Sequence, residues 1–131
     1  MIDRIDHLVL TITDLERTLA FYVRGLGLRH ETSEAGRHAI VFGRNKINLH
    51  IASDAPILPR ADRPTPGSAD FCLIADRPLH TVVAHLESEN IPIELGPVAR
   101  SGAAGPIRSI CLRDPDGNLV EISEYPEPRV S

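Results

Sequence analysis

Tryptophan is absent from this chain, and the other aromatics are few: three phenylalanines and two tyrosines in 131 residues. Cysteine is almost as scarce. Cys72 and Cys111 are too few for a disulfide framework. Both fall in strand-like apolar runs, so they read as small buried hydrophobes, reduced in a cytosolic setting. Positive charge is not in excess: 14 Lys and Arg against 18 Asp and Glu leave a net charge of -4. With no basic stripe, no nucleic-acid partner is expected. No apolar run approaches the ~20 residues that span a bilayer, so no membrane is expected either. The opening Met1-Ile2-Asp3-Arg4 carries an acid and leads straight into a strand, unlike a secretory leader. The small-residue stretch 96–106 is not followed by Gly-Lys-Ser/Thr, so it is not a Walker-type phosphate loop.

What is present is an ordinary globular balance, 42% hydrophobic and 24% charged, enough for one compact domain or two half-size modules. The pattern begins with a strand over 5–11. Leu8, Leu10 and Ile12 take one face; Ile5, His7, Val9 and Thr11 take the other. Asp14 is placed to cap a helix over 15–24, with Leu15, Leu19, Tyr22 and Leu26 as its apolar stripe. Gly25 and Gly27 end it. Strands over 28–33, 38–42 and 46–52 follow. The stretch 53–67 holds Pro56, Pro59, Pro64 and Pro66 without periodicity, and reads as a surface connector pinned by Ile57 and Leu58.

The same order then repeats. A strand over 68–75 precedes Asp76 as a second cap. A helix ending near Asn90 carries Leu79, Val82, Val83 and Leu86. A short strand over 91–95, with Pro92 suiting an edge, is followed by strands over 106–113 and 118–124. Asp114-Pro115-Asp116-Gly117 turns the chain between the last two. Two strand–helix–strand–strand–strand modules, 1–52 and 68–125, joined by the connector 53–67, form one α+β domain. Such βαβββ modules predict a half-open, strongly curved mixed sheet with helices outside and a concave cleft. The tail from 125 to 131 reads as loose at its end.

Strand alternation also selects side chains for the face away from the helices. His7 lies there, and so does His50, opposite Ile47, Leu49 and Ile51; singly, each histidine reads more simply as a core or solvent residue. Glu121 alternates with Val120 and Ile122, and a carboxylate on a central strand needs a partner or a metal unless it sits at an edge. Asp70 stands with Cys72 and Ile74. It is a fourth ligand, a carboxylate that orients a histidine, or a hydrogen-bonding residue at the strand start. Two imidazoles with one or two carboxylates suit a borderline divalent ion: Fe, Mn, Ni, Co or Zn. The small-residue stretch 96–106 reads as a mobile flap or as a flexible strand connection; as a flap, it makes Arg100 a candidate for binding an anionic substrate. Arg108 and Arg113 read as solvated charges. His30, His38, His80 and His85 have no partners at ligand spacing.

Several segments together resemble the vicinal oxygen chelate superfamily, which includes glyoxalase I, bleomycin resistance proteins and extradiol dioxygenases. They are Asp6-His7-Leu8-Val9-Leu10 with Asp14, Phe21-Tyr22 with Gly25-Leu26-Gly27, Asn48-Leu49-His50, Pro66-Gly67-Ser68-Ala69-Asp70, and the run from Arg113 to Glu121. Within that superfamily the chain is most similar to small glyoxalase domain-containing proteins. The resemblance implies the paired-module fold and metal ligands at His7, His50, Asp70 and Glu121. It implies an ion that binds two adjacent oxygens of a small substrate, with Glu121 or Asp70 moving a proton. It also implies a homodimer and a lyase or isomerase. The alternatives are a ligand-sequestering resistance protein, against which the few aromatics weigh, and an Fe(II) dioxygenase. Relative to glyoxalase I, carboxylate and histidine are exchanged between the positions of His50 and Asp70.

Overall fold

A computed structural model describes residues 1–126. The expected loose tail lies, from residue 127 onward, outside the described residues. The chain divides into two compact units, Met1–Ala69 with Pro115–Asn118, and Asp70–Asp114 with the chain from Leu119. The proline-rich connector therefore counts with the first unit, as does the turn at 115–118.

In the first unit, β1 (His7–Ile12) leads into α1 (Leu15–Leu19), then β2 (Arg29–Thr32), β3 (His38–Phe42) and β4 (Asn45–Ile51). The sheet order is β1-β4-β3-β2, with β1 and β4 parallel and the other pairs antiparallel. Alternation sorts the strands as expected: Leu10, Ile12, Ile40, Ile47 and Leu49 are buried. Asp14 caps α1, its Oδ1 accepting the Arg17 N–H at 2.9 Å. The helix does not stay α-helical. Over Ala20–Gly25 it widens into a π-helix, and the Leu26 N–H reaches back five residues to the Phe21 carbonyl at 3.0 Å. Of the expected stripe Tyr22 is fully buried and Leu15, Leu19 and Leu26 are half-buried, while Thr18 and Phe21 are buried beside it. Thr18 satisfies its hydroxyl on the Asp14 carbonyl at 2.8 Å. Tyr22 packs edge-on against Phe21 with ring centres 4.8 Å apart. In the connector Ile57 is half-buried, whereas Leu58 is exposed and pins nothing.

The 115–118 turn fastens the first unit together. The Thr13 N–H donates to both Asp116 carboxylate oxygens, at 3.2 and 3.3 Å. Asn118 is buried, and its Oδ1 accepts the Ala69 N–H at 2.9 Å. Gly67 has φ +82°, and a side chain there would meet the Asp116 carbonyl at 2.6 Å, so only glycine lets the two segments approach.

The second unit has β5 (Asp70–Ile74), α2 (Leu79–Ser88), β6 (Leu95–Gly102), β7 (Gly105–Arg113) and β8 (Leu119–Glu124). Its sheet order, β5-β8-β7-β6, repeats that of the first unit, and β5 and β8 are again the parallel pair. Two expectations are corrected here. Asp76 does not cap α2: the N-cap is Pro78, and the Leu79 N–H is taken by the Glu124 carboxylate at 2.7 Å. Asp76 instead pairs with Arg77 at the surface. Nor is 96–106 a mobile flap after a strand over 91–95. β6 begins at Leu95 and pairs with β7 as a hairpin through Gly102 and Gly105. Gly96 (φ +108°) permits this, since a side chain there would lie 2.4 Å from the Ser109 carbonyl. The hairpin tip is held by the Ala104 N–H donating to the Tyr125 hydroxyl at 3.0 Å. Among the described residues no helix is long and apolar enough to cross a membrane.

Candidate functional site

In the first unit, the parallel register sets His7 beside Lys46, Val9 beside Asn48, and Thr11 beside His50. Paired residues of neighbouring strands share a face, so His7 and His50 lie on the same side, as the alternation required. They are not side by side. Four residues separate them along the pair, about 13 Å at ~3.3 Å per residue. The His7 Nδ1 lies 2.8 Å from Asp6 Oδ1. That hydrogen bond holds the Asp6 carboxyl below its ordinary range. It orients the ring and leaves Nε2 as the available ligand atom. His50 is half-buried, and burial, followed by repulsion from Arg37, pushes its imidazole pKa down.

His50 also lines a cleft of about 970 Å³ built by this unit alone, with Val9, Thr11 and the connector among its walls. That volume is in the range of small-molecule sites. Three arginines reach it: Arg37, Arg60 and Arg63. The sequence reading missed them, because the connector's prolines show where the chain loops but not where it folds back.

In the second unit, the outward row of β5 and β8 carries Asp70, Cys72, Leu119 and Glu121. Cys72 pairs with Glu121, and Asp70 with Leu119. Asp70 and Glu121 are thus two residues apart along the pair, about 7 Å. Asp70 is exposed and Glu121 half-buried. Behind Glu121 runs a row of hydroxyls. The Ser123 Oγ donates to Glu121 Oε2 at 3.3 Å and lies 2.6 Å from the Ser109 Oγ. Both serines are fully buried. Cys72 and Cys111 flank Glu121 on the neighbouring strands. Burial, reinforced by the Glu121 charge, raises both thiols, so they stay protonated at neutral pH. Cys111 is buried as expected, but Cys72 is exposed, its Sγ 3.1 Å from the Ser123 Oγ.

The four expected ligands are therefore split, His7 and His50 in the first unit and Asp70 and Glu121 in the second. Among the described residues no three His, Cys, Asp or Glu side chains come together in a metal-ligating group. The repeated topology also relates the polar rows of the two units. In each unit the opening strand starts with a ligand-capable side chain, His7 or Asp70. The residue on its parallel neighbour, two steps on, is Asn48 in one unit and Glu121 in the other. The counterpart of Glu121 is thus Asn48, and His50 lies one same-face position beyond it. Alternation fixes the face of a strand but not how far along it a residue stands.

Arg100 sits exposed on β6 opposite Ile107, in a paired strand rather than a flap. Arg113 is not simply solvated: its guanidinium makes a two-armed ion pair with Glu94 at 3.1 Å on each side. His30 and His38, read as partnerless, meet across the β2–β3 hairpin. Their rings stack 5.1 Å apart and His30 Nε2 lies 2.9 Å from His38 Nδ1. The diagonal register of β2 and β3 makes that contact.

Two mixed sheets of identical strand order, each with one parallel pair bearing a polar row, define a paired βαβββ protein. The chain belongs to the glyoxalase/bleomycin resistance protein/dioxygenase superfamily, whose model matches residues 4–122. It is 51% identical over 125 residues to a virulence protein of Salmonella typhimurium, covering 95% of this chain and 86% of that one. The crystal structure of that virulence protein matches with a TM-score of 0.93, covering 96% of this chain and 99% of the other. A glyoxalase domain-containing protein of Mycosarcoma maydis is 42% identical, covering 95% of this chain and 70% of that one. The crystal structure of lactoylglutathione lyase from Agrobacterium tumefaciens is 27% identical, with a TM-score of 0.71 and 95% of each chain covered.

Proposed function

We propose that this chain is a metal-dependent enzyme of the lyase or isomerase type that binds a small substrate through two neighbouring oxygens. His7, Asp70 and Glu121 hold the divalent ion (Fe, Mn, Ni, Co or Zn), and His50 faces the substrate instead of the metal. The observation that carries this reading is the register of β5 and β8, which sets two carboxylates two residues apart on one face. The Asp6-oriented imidazole of His7 supports it, because a ligating histidine normally has its other ring nitrogen tied to a carboxylate or carbonyl. One hard-soft borderline nitrogen and two carboxylate groups fit such an ion.

When bound, the ion supplies Lewis acidity to two adjacent substrate oxygens. The protein's own share is proton handling and positioning. Glu121 or Asp70 is the base; the Oε2 of Glu121 is held by the Ser123 hydroxyl, which the buried Ser109 fixes in turn. Asp70 is the second carboxylate of the site. The reduced thiols beside Glu121 keep its surroundings free of added charge. The working form is a cytosolic homodimer. Chelation is tested with acetohydroxamate, which offers two adjacent oxygens, added to the Co(II)-loaded chain. The visible spectrum is expected to shift with acetohydroxamate and not with acetamide. An unchanged spectrum with both removes the proposal.

A further inference from the structure

The cleft of the first unit has a charge opposite to that of the chain. The whole protein is net acidic, yet three arginines reach this cleft against a single carboxylate, Asp54. Arg63 is drawn to Asp62 at 3.9 Å. Arg37 and Arg60 have no side-chain partner among the described residues. Guanidiniums that line one cleft without partners gain from a bound anion, which each can grip through a two-pronged set of N–H donors. In the same cleft His50 and Thr11 stand on adjacent strands at the same register. These are a neutral imidazole and a hydroxyl, both able to hydrogen-bond a polar ligand.

We infer that this cleft binds the anionic end, carboxylate or phosphate, of a small-molecule substrate, with Arg37 and Arg60 as the anchors and His50 and Thr11 as further polar lining. The inference rests on the proposed function only in calling the ligand a substrate; binding of the anion needs no metal. Burial and Arg37 set the titration of His50; the other titratable groups that line the cleft with it are His38, Asp54, Arg60 and Arg63. A bound anion offsets the arginines and so raises the His50 pKa, which makes the imidazole a reporter.

The test uses the full chain stripped with chelator, with the His50 ring signals followed by NMR and identified by comparison with His50→Gln. The probes are inorganic phosphate, succinate and, as a neutral control, 1,4-butanediol. Saturable shifts with an upward move of the His50 pKa are expected for at least one anion and not for the diol. Arg37→Gln and Arg60→Gln should each weaken binding about three- to tenfold, and the double variant about thirtyfold or more. Arg108→Gln, an exposed arginine on β7 outside this cleft, should change nothing. Both anchors are exposed, so the double variant keeps the fold. Response to phosphate alone assigns a phosphate ester; response to succinate assigns a carboxylate. The inference is overturned by no saturation with either anion, by an equal response to the diol, or by undiminished affinity in the double variant. Because no metal is present, failure of the metal proposal would leave this binding intact.

Discussion

His50 shows how much one residue's position along a strand decides. Its burial and its neighbour Arg37 both disfavour the imidazolium, so its folded-state pKa lies below the ordinary value of 6.5. The unfolded chain then binds the proton more readily than the folded one. The resulting stability is present above about 6.5 and is lost as pH falls through the folded-state value. Thermal melts of the wild type against His50→Gln across this window should show the wild type falling further on acidification. In Arg37→Gln the His50 ring should titrate closer to 6.5, as read by NMR. A His50 that titrates above 6.5 in the wild type would contradict this picture.

The elements owe much of their placement to single acceptors distant in sequence. Glu124 takes the first free N–H of α2. Glu124→Ala is therefore expected to cost about 0.5–2 kcal/mol in urea unfolding, while Asp76→Ala, which touches only Arg77, should cost close to nothing. Asn118→Ala strands the half-buried Ala69 N–H and should cost about 1–3 kcal/mol by the same measurement. Equal, small effects in Glu124→Ala and Asp76→Ala would refute the capping assignment. Most strands were legible in the sequence because alternation in Leu8-Leu10-Ile12 or Ile47-Leu49 reports burial directly. Asp14 was legible as a cap because its partner, Arg17, lies three residues away. Glu124 was not, since its partner lies 45 residues upstream. The small-residue stretch of β6 reads as a flap or a flexible connection because small residues signal freedom, whereas here Gly96 is present for close approach to Ser109.

At the scale of the whole chain, the duplication is the organising fact: two sheets with one strand order, each with a parallel pair bearing a polar row. The repeat was visible in the pattern of strands and helices, and so was the face that His7 and His50 share in one unit and the face that Asp70 and Glu121 share in the other. Register was not visible, and it separates His50 from His7 while keeping Asp70 near Glu121. The cationic cleft was also hidden, because Arg37 and Arg60 are 23 positions apart, on a hairpin and a connector that strand periodicity cannot relate. The most direct test of the metal assignment is calorimetric titration of the chelator-stripped chain with Mn(II). Wild type and His50→Ala are predicted to bind the ion with similar affinity, whereas His7→Ala, Asp70→Asn and Glu121→Gln each weaken it by about tenfold or more. No uptake by the wild type, or loss of binding in His50→Ala with retention in His7→Ala, would contradict the account.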